Sequence, residues 1–108
     1  MIYISGAMTG IKDYNYPEFN RVAAGLRSAG HEVFNPAEVD FDKTGMSEWG
    51  IYQEYMDLDL QGLEKCNIIY LLKGWENSPG ARTELKRAIE NNIIIKMQGD
   101  IVGEVSTL

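Results

Sequence analysis

The run Asn67-Ile68-Ile69-Tyr70-Leu71-Leu72 constrains the fold more than any other segment. After Asn67 it shows no alternation of polar and apolar positions, so as a strand it must be covered on both faces. Sheets covered on both faces are built from parallel strands joined by helical crossovers. Three more short β-forming runs suit the same sheet: Met1 to Ser5, stopped by Gly6; His31 to Phe34, closed by Asn35-Pro36; and Ile93 to Met97. Between them the apolar period changes to that of helices. Phe19, Val22, Ala23 and Leu26 recur from Pro17 onward and end at Gly30; Tyr52, Met56, Leu60 and Leu63 recur between Trp49 and Lys65. Ala81, Leu85, Ala88 and Ile89 follow a Ser78 cap with Pro79 at the first helical position. This alternation predicts an α/β fold: a three-layer, flavodoxin/Rossmann-like parallel sheet of four or five strands with helices on both faces. A fifth, edge strand would come from the tail between Gln98 and Leu108, through Ile101, Val102 and Val105. Ala37 to Gly50 has no period and reads as a mobile loop or flap.

With 108 residues, 44% of them hydrophobic, the chain has the size and core content of one domain, residues 1–108. A domain this small has little room for a lid of its own, so an enclosed site is expected to borrow walls from a second copy in a homodimer or higher homo-oligomer. The net charge of −6 argues against a nucleic acid polymer as partner, since a phosphate backbone selects clustered Lys and Arg. A small anionic ligand at a helix N-terminus stays compatible with it. The single cysteine excludes an internal disulfide. No apolar run approaches the ~20 residues of a membrane span. A reducing, cytoplasmic setting without membrane contact is the expectation. Neither the lone His31 nor Cys66 belongs to a cluster with metal-ligand spacing, so no metal or cofactor is expected.

In parallel sheets ligands bind beyond the carboxyl ends of the strands, near the point where strand order reverses. That rule selects three loops: Ser5-Gly6-Ala7-Met8-Thr9-Gly10, Asn35-Pro36, and Lys73 to Gly80 with Trp75 and Ser78. The first loop suits close approach of backbone to a ligand, and equally a tight turn with no ligand. Glu84 sits at the edge of the buried arc of the third helix, one turn after Gly80. It reads either as a site carboxylate or as a surface residue paired with Arg87. Asp59 shares a stripe with Tyr52, Met56 and Leu63, which places a carboxylate on an apolar face. There it either meets a ligand or is satisfied by a loop or an arginine. Trp49, Trp75, Tyr14, Tyr16, Tyr52 and Tyr55 could stack on a planar base, and core or interface packing accounts for them equally well.

Tyr3-Ile4-Ser5-Gly6-Ala7-Met8-Thr9-Gly10, Gly30 to Pro36, and Gly74 to Glu84, with Asp59 on the second helix, together resemble the nucleoside 2-deoxyribosyltransferase superfamily. Its small branch of the DUF4406 type, often encoded by phages or prophages, is the most similar. The resemblance covers nearly the whole chain to about Met97. It implies glycosidic chemistry on a small-molecule nucleoside or nucleotide, with Glu84 in the place of the nucleophile and Asp59 in that of the second site carboxylate. Tyr3 matches the tyrosine that orients the nucleophile, and Gly6 the glycine near the base or sugar. Serine at position 78, where the transferases carry an acid, implies a phosphorylated ligand received by Ser78, the first amides of the third helix and Arg82. A nucleotide-binding module that senses or sequesters its ligand intact, and a protein-interaction domain, are the competing readings.

Overall fold

The computed structural model describes residues 1–100. Four parallel strands, β1 (Ile2–Ser5), β2 (Val33–Phe34), β3 (Ile68–Leu71) and β4 (Ile94–Met97), form one sheet in the order β2-β1-β3-β4. Helix α1 (Tyr16–Ser28) joins β1 to β2, α2 (Glu48–Glu64) joins β2 to β3, and α3 (Pro79–Glu90) joins β3 to β4. The fold is α/β and Rossmann-like, in three layers. Side chains of a strand alternate between faces, and β1 uses both. Ile2 and Ile4 pack with Phe19, Val22, Ala23 and Leu26 of α1, while Tyr3 packs with Leu63 of α2 and Ala88 of α3. By the same period Ser5 shares the Tyr3 face. Burying side chains such as Leu26 and Leu63, both at 0% exposure, stabilises the sandwich by roughly 1.5–3 kcal/mol each. The chain leaves β1 for one neighbour and returns to the other side through β3, so strand order reverses between β1 and β3. Their carboxyl ends, Ser5 and Leu71, lie side by side in register.

The structure departs from the sequence expectations at several elements, each for a local reason. The second strand shrinks from His31–Phe34 to Val33–Phe34 because the end of α1 takes the preceding amides. Gly30, at φ +95°, donates to the Arg27 carbonyl, and His31 donates to that of Leu26. The segment expected to be irregular to Gly50 ends earlier: Ser47 accepts a hydrogen bond from the Gly50 amide at 3.0 Å and starts α2 at Glu48. Ile89 is 58% exposed, not buried. The inward arc of α3 runs through Ala81, Glu84 and Ala88, so it includes the carboxylate and excludes the isoleucine. Tyr52, expected on the packed face of α2, is 49% exposed, since only the last turns of α2 reach the core. All four residues of β4 are exposed, and β4 is the last strand of the sheet among the described residues. The expected fifth strand through Ile101, Val102 and Val105 lies outside the described residues. No helix among the described residues is long and apolar enough to cross a membrane.

Candidate active site

Helix α3 begins where sequence chemistry asks it to. Ser78, in extended conformation, accepts from the Ala81 amide at 3.1 Å, and Pro79 occupies the first turn. One turn later Glu84 points at the sheet and is only 6% exposed. The two inward side chains at the end of β1 meet it: the Tyr3 hydroxyl donates to Oε2 and the Ser5 hydroxyl to Oε1, each at 2.6 Å. Both donors are fully buried. The carboxylate is thereby fixed in position and rotation by the strand that ends beside it. Burial pushes Glu84 up to about 7, against the pull of the two hydrogen bonds, which favour the charged form. Burial, followed by the charge of Glu84, raises the Tyr3 phenol well above its ordinary value, so it stays a proton donor.

The free side of Glu84 opens into a cavity of about 600 Å³. Gly6, Met8 and Thr9 form the wall after β1, Tyr14, Tyr16 and Phe19 the entry to α1, and Tyr52, Tyr55, Met56 and Asp59 the face of α2. Asn77 to Ala81 close the side at the start of α3. Asp59 therefore faces the same space as Glu84. Its Oδ1 is the single buried side-chain oxygen or nitrogen without a hydrogen-bond partner among the described residues. Burial, and secondarily the charge of Glu84, pushes Asp59 up to about 8. The hydrogen bonds from Tyr3 and Ser5 favour the charged form of Glu84, whereas Asp59 Oδ1 has no such partner, so Glu84 is the first of the two to ionise. With Glu84 ionised and Asp59 protonated, the cavity holds a carboxylate on the strand side and a carboxylic acid on α2, an arrangement that separates a nucleophile or base from a proton donor.

The approach to α1 is unusual in its backbone. Asp13, Tyr14 and Asn15 all have positive φ, at 55°, 53° and 60°. Side chains resist that conformation at about 1–2 kcal/mol per residue. The Asn15 side chain offsets part of this by donating from Nδ2 to the Ala7 carbonyl at 3.0 Å, which clips the segment to the loop after β1 beside Tyr14 and Tyr16 at the cavity.

Of the residues singled out in the sequence, Glu84, Asp59, Gly6, Met8, Ser78 and Gly80 line the cavity, and Tyr3 and Ser5 stand behind Glu84 as its hydrogen-bond donors. A Cβ on Gly6 would lie 3.0 Å from Leu72, so the close strand-to-loop turn needs glycine. Asn35, Trp75 and Arg82 do not line it. Asn35 donates to Asn20 and accepts from the Ala37 amide, holding the loop after β2. Trp75 packs against the core cluster of Tyr3 and Leu63. Arg82 donates to the Glu76 carbonyl at 2.6 Å on the exposed side of α3. Asn77 and Met56 are cavity residues that sequence reasoning did not select as site residues. Met56 had a signal, its place one turn before Asp59, and Asn77 lies in the Lys73-to-Gly80 loop that the strand-end rule selects. Among the described residues no group of three or more His, Cys, Asp or Glu could hold a metal ion.

This site lies within a segment that a known family describes. Residues 1–97 match the profile of a domain of unknown function, DUF4406. The chain belongs to that family. The match spans both carboxylates, both hydroxyl donors and every cavity wall, so the whole site of this DUF4406 chain falls inside the family domain. No curated protein matches the sequence.

Proposed function

We propose that this chain cleaves the N-glycosidic bond of a deoxynucleoside 5′-monophosphate or a related nucleotide, by hydrolysis or transfer, with Glu84 as the nucleophile. One observation carries the reading: a buried carboxylate held through both oxygens by Tyr3 and Ser5 shares one cavity with a second carboxyl group whose Oδ1 has no partner. Cleavage at an anomeric carbon needs that pair. The Glu84 carboxylate attacks C1′ through an oxocarbenium-like transition state, Asp59 gives its proton to the departing base, and water or a second base then releases the sugar from Glu84 with net retention. The motif resemblance to nucleoside 2-deoxyribosyltransferases supports the same assignment. In this reading the Ser78 hydroxyl and the Gly80 amide, which border the cavity, receive the 5′-phosphate, since Pro79 has no N–H and the Ala81 and Arg82 amides already donate to Ser78. Arg82 takes part only if it leaves the Glu76 carbonyl.

The test is incubation of the pure protein with the common deoxynucleosides and their 5′-monophosphates, with chromatographic detection of free base. Release of base that Glu84→Gln abolishes is the expected result. A nucleotide that stabilises the protein against heat but is recovered intact after long incubation contradicts it, and identifies a binding module instead.

A further inference from the structure

The charge and ring content of the cavity are one-sided. Tyr14, Tyr16, Tyr52 and Tyr55 line it together with Asp59 and Glu84, and among the described residues no lysine, arginine or histidine does. Electron-rich ring faces and the Glu84 carboxylate attract cations, and the nearby Lys43 ammonium has its charge matched by Asp40. Tyr55 already has a cation beside it. The Lys43 ammonium lies 5.3 Å from its ring centroid and 4.6 Å from that of Phe41, with its charge matched by Asp40 at 2.7 Å. Phe41 packs edge-on against Tyr55 at 4.7 Å between centroids, so this aromatic wall is held in place from behind.

Resting on the glycosidase reading above, we propose that the preferred substrates carry a positively charged base, the class formed when a purine or pyrimidine ring nitrogen is alkylated. A flat cation suits the tyrosine-lined wall better than its neutral isostere does, and the chemistry gains as well. The Glu84 oxygen forms a bond to C1′ while the C1′–N bond breaks with its electron pair moving onto the ring. The alkylated base departs neutral and needs no proton. Water then attacks C1′, the Glu84 carboxylate is regenerated, and the proton released by water passes to solvent. Asp59, which must supply a proton to a neutral base, is dispensable for a cationic one.

Binding separates this preference from the intrinsic lability of alkylated nucleosides. Titration calorimetry should compare the 7,9-dimethylguaninium cation with neutral 9-methylguanine, which differs by one methyl group and the charge. The expected result is at least tenfold tighter binding of the cation, with the ratio reduced several-fold in Tyr55→Leu and kept in Tyr55→Phe. Equal affinities, tighter binding of the neutral base, or no binding of either overturns the proposal. A second arm measures base release from 7-methyl-dGMP and dGMP, each corrected for the spontaneous reaction, by the wild type and Asp59→Asn. Loss of dGMP cleavage with retention of 7-methyl-dGMP cleavage is expected, and equal loss of both overturns the proposal. If unmodified nucleotides are cleaved while the cation shows no advantage, the glycosidase reading stands and this inference alone falls.

Discussion

Replacing Asp59 by asparagine keeps the shape of the side chain and removes its ability to ionise, so its effect on stability should depend on pH. In the folded chain burial and the Glu84 charge push Asp59 up to about 8, whereas a solvated aspartate ionises near 3.9. Between those values the unfolded chain has lost the proton and the folded chain still binds it, so wild-type stability falls as pH rises from about 4 to about 8. Across pH 5 to 9 a shift of that size corresponds to about 4 kcal/mol at most, at 1.36 kcal/mol per unit. Asp59 faces an open cavity that water can enter, so half of that ceiling, about 2 kcal/mol, is the expected change in the difference between mutant and wild type. For a domain of this size 1 kcal/mol shifts the melting temperature by roughly 4–8 °C. Asp59→Asn should therefore gain about 10 °C relative to wild type between pH 5 and pH 9, measured by thermal melts followed by circular dichroism. Glu84 contributes a slope of the same sign, which the mutant retains. Parallel curves, with the same difference at pH 5 and pH 9, would show that Asp59 is solvated and refute the reasoning.

The same electrostatics predict a bell-shaped pH dependence of kcat/KM on a nucleotide with a neutral base, with apparent limbs near 7 and 8 that belong to the Glu84–Asp59 pair; a rate that keeps rising above pH 9 would exclude Asp59 as the acid. Tyr3→Phe keeps the ring stacked on Phe34 at 5.3 Å but removes the donor to Glu84. A hydrogen bond to a charged group contributes about 1.5–3 kcal/mol, so kcat should fall roughly tenfold or more and the acidic limb should move to higher pH. Gly62→Ala would drive a Cβ into the Phe34 ring, which stacks on Tyr3. Overpacking there should cost about 1–3 kcal/mol in denaturant unfolding, and an unchanged midpoint would show that Phe34 yields freely.

The order of elements was readable because each strand and helix has its own apolar period. The β3 run Ile68–Leu71 announces a doubly covered strand, and Ser78-Pro79 announces the start of α3. Helical wheels rank apolar residues inward, so the sequence puts Glu84 at the edge of a buried arc. What draws it fully inside is the pair of hydroxyls on Tyr3 and Ser5, some eighty positions away, and no local pattern contains that contact. Ile89 is the counterpart, an apolar residue displaced outward by the same rotation of α3. Asp59 stood out because a carboxylate interrupted an apolar stripe, but the stripe itself faces a cavity more than a core. The tyrosines left two readings open in the sequence because rings pack and rings bind. The left-handed backbone of Asp13, Tyr14 and Asn15, which carries Tyr14 to the mouth, has only a faint sequence signature, since Asp and Asn enter that region more readily than other side chains and Tyr does not.

The central claim is that Glu84 forms a bond to the sugar, and the most direct measurement is the mass of the protein during turnover of a 2-fluoroarabinosyl nucleotide, whose fluorine slows release of the sugar from the enzyme. The account predicts an increase of one fluorinated sugar phosphate per chain, mapped by peptide sequencing to Glu84 and absent from Glu84→Gln. An unmodified protein while base is released, or a sugar attached to any other residue, would contradict it.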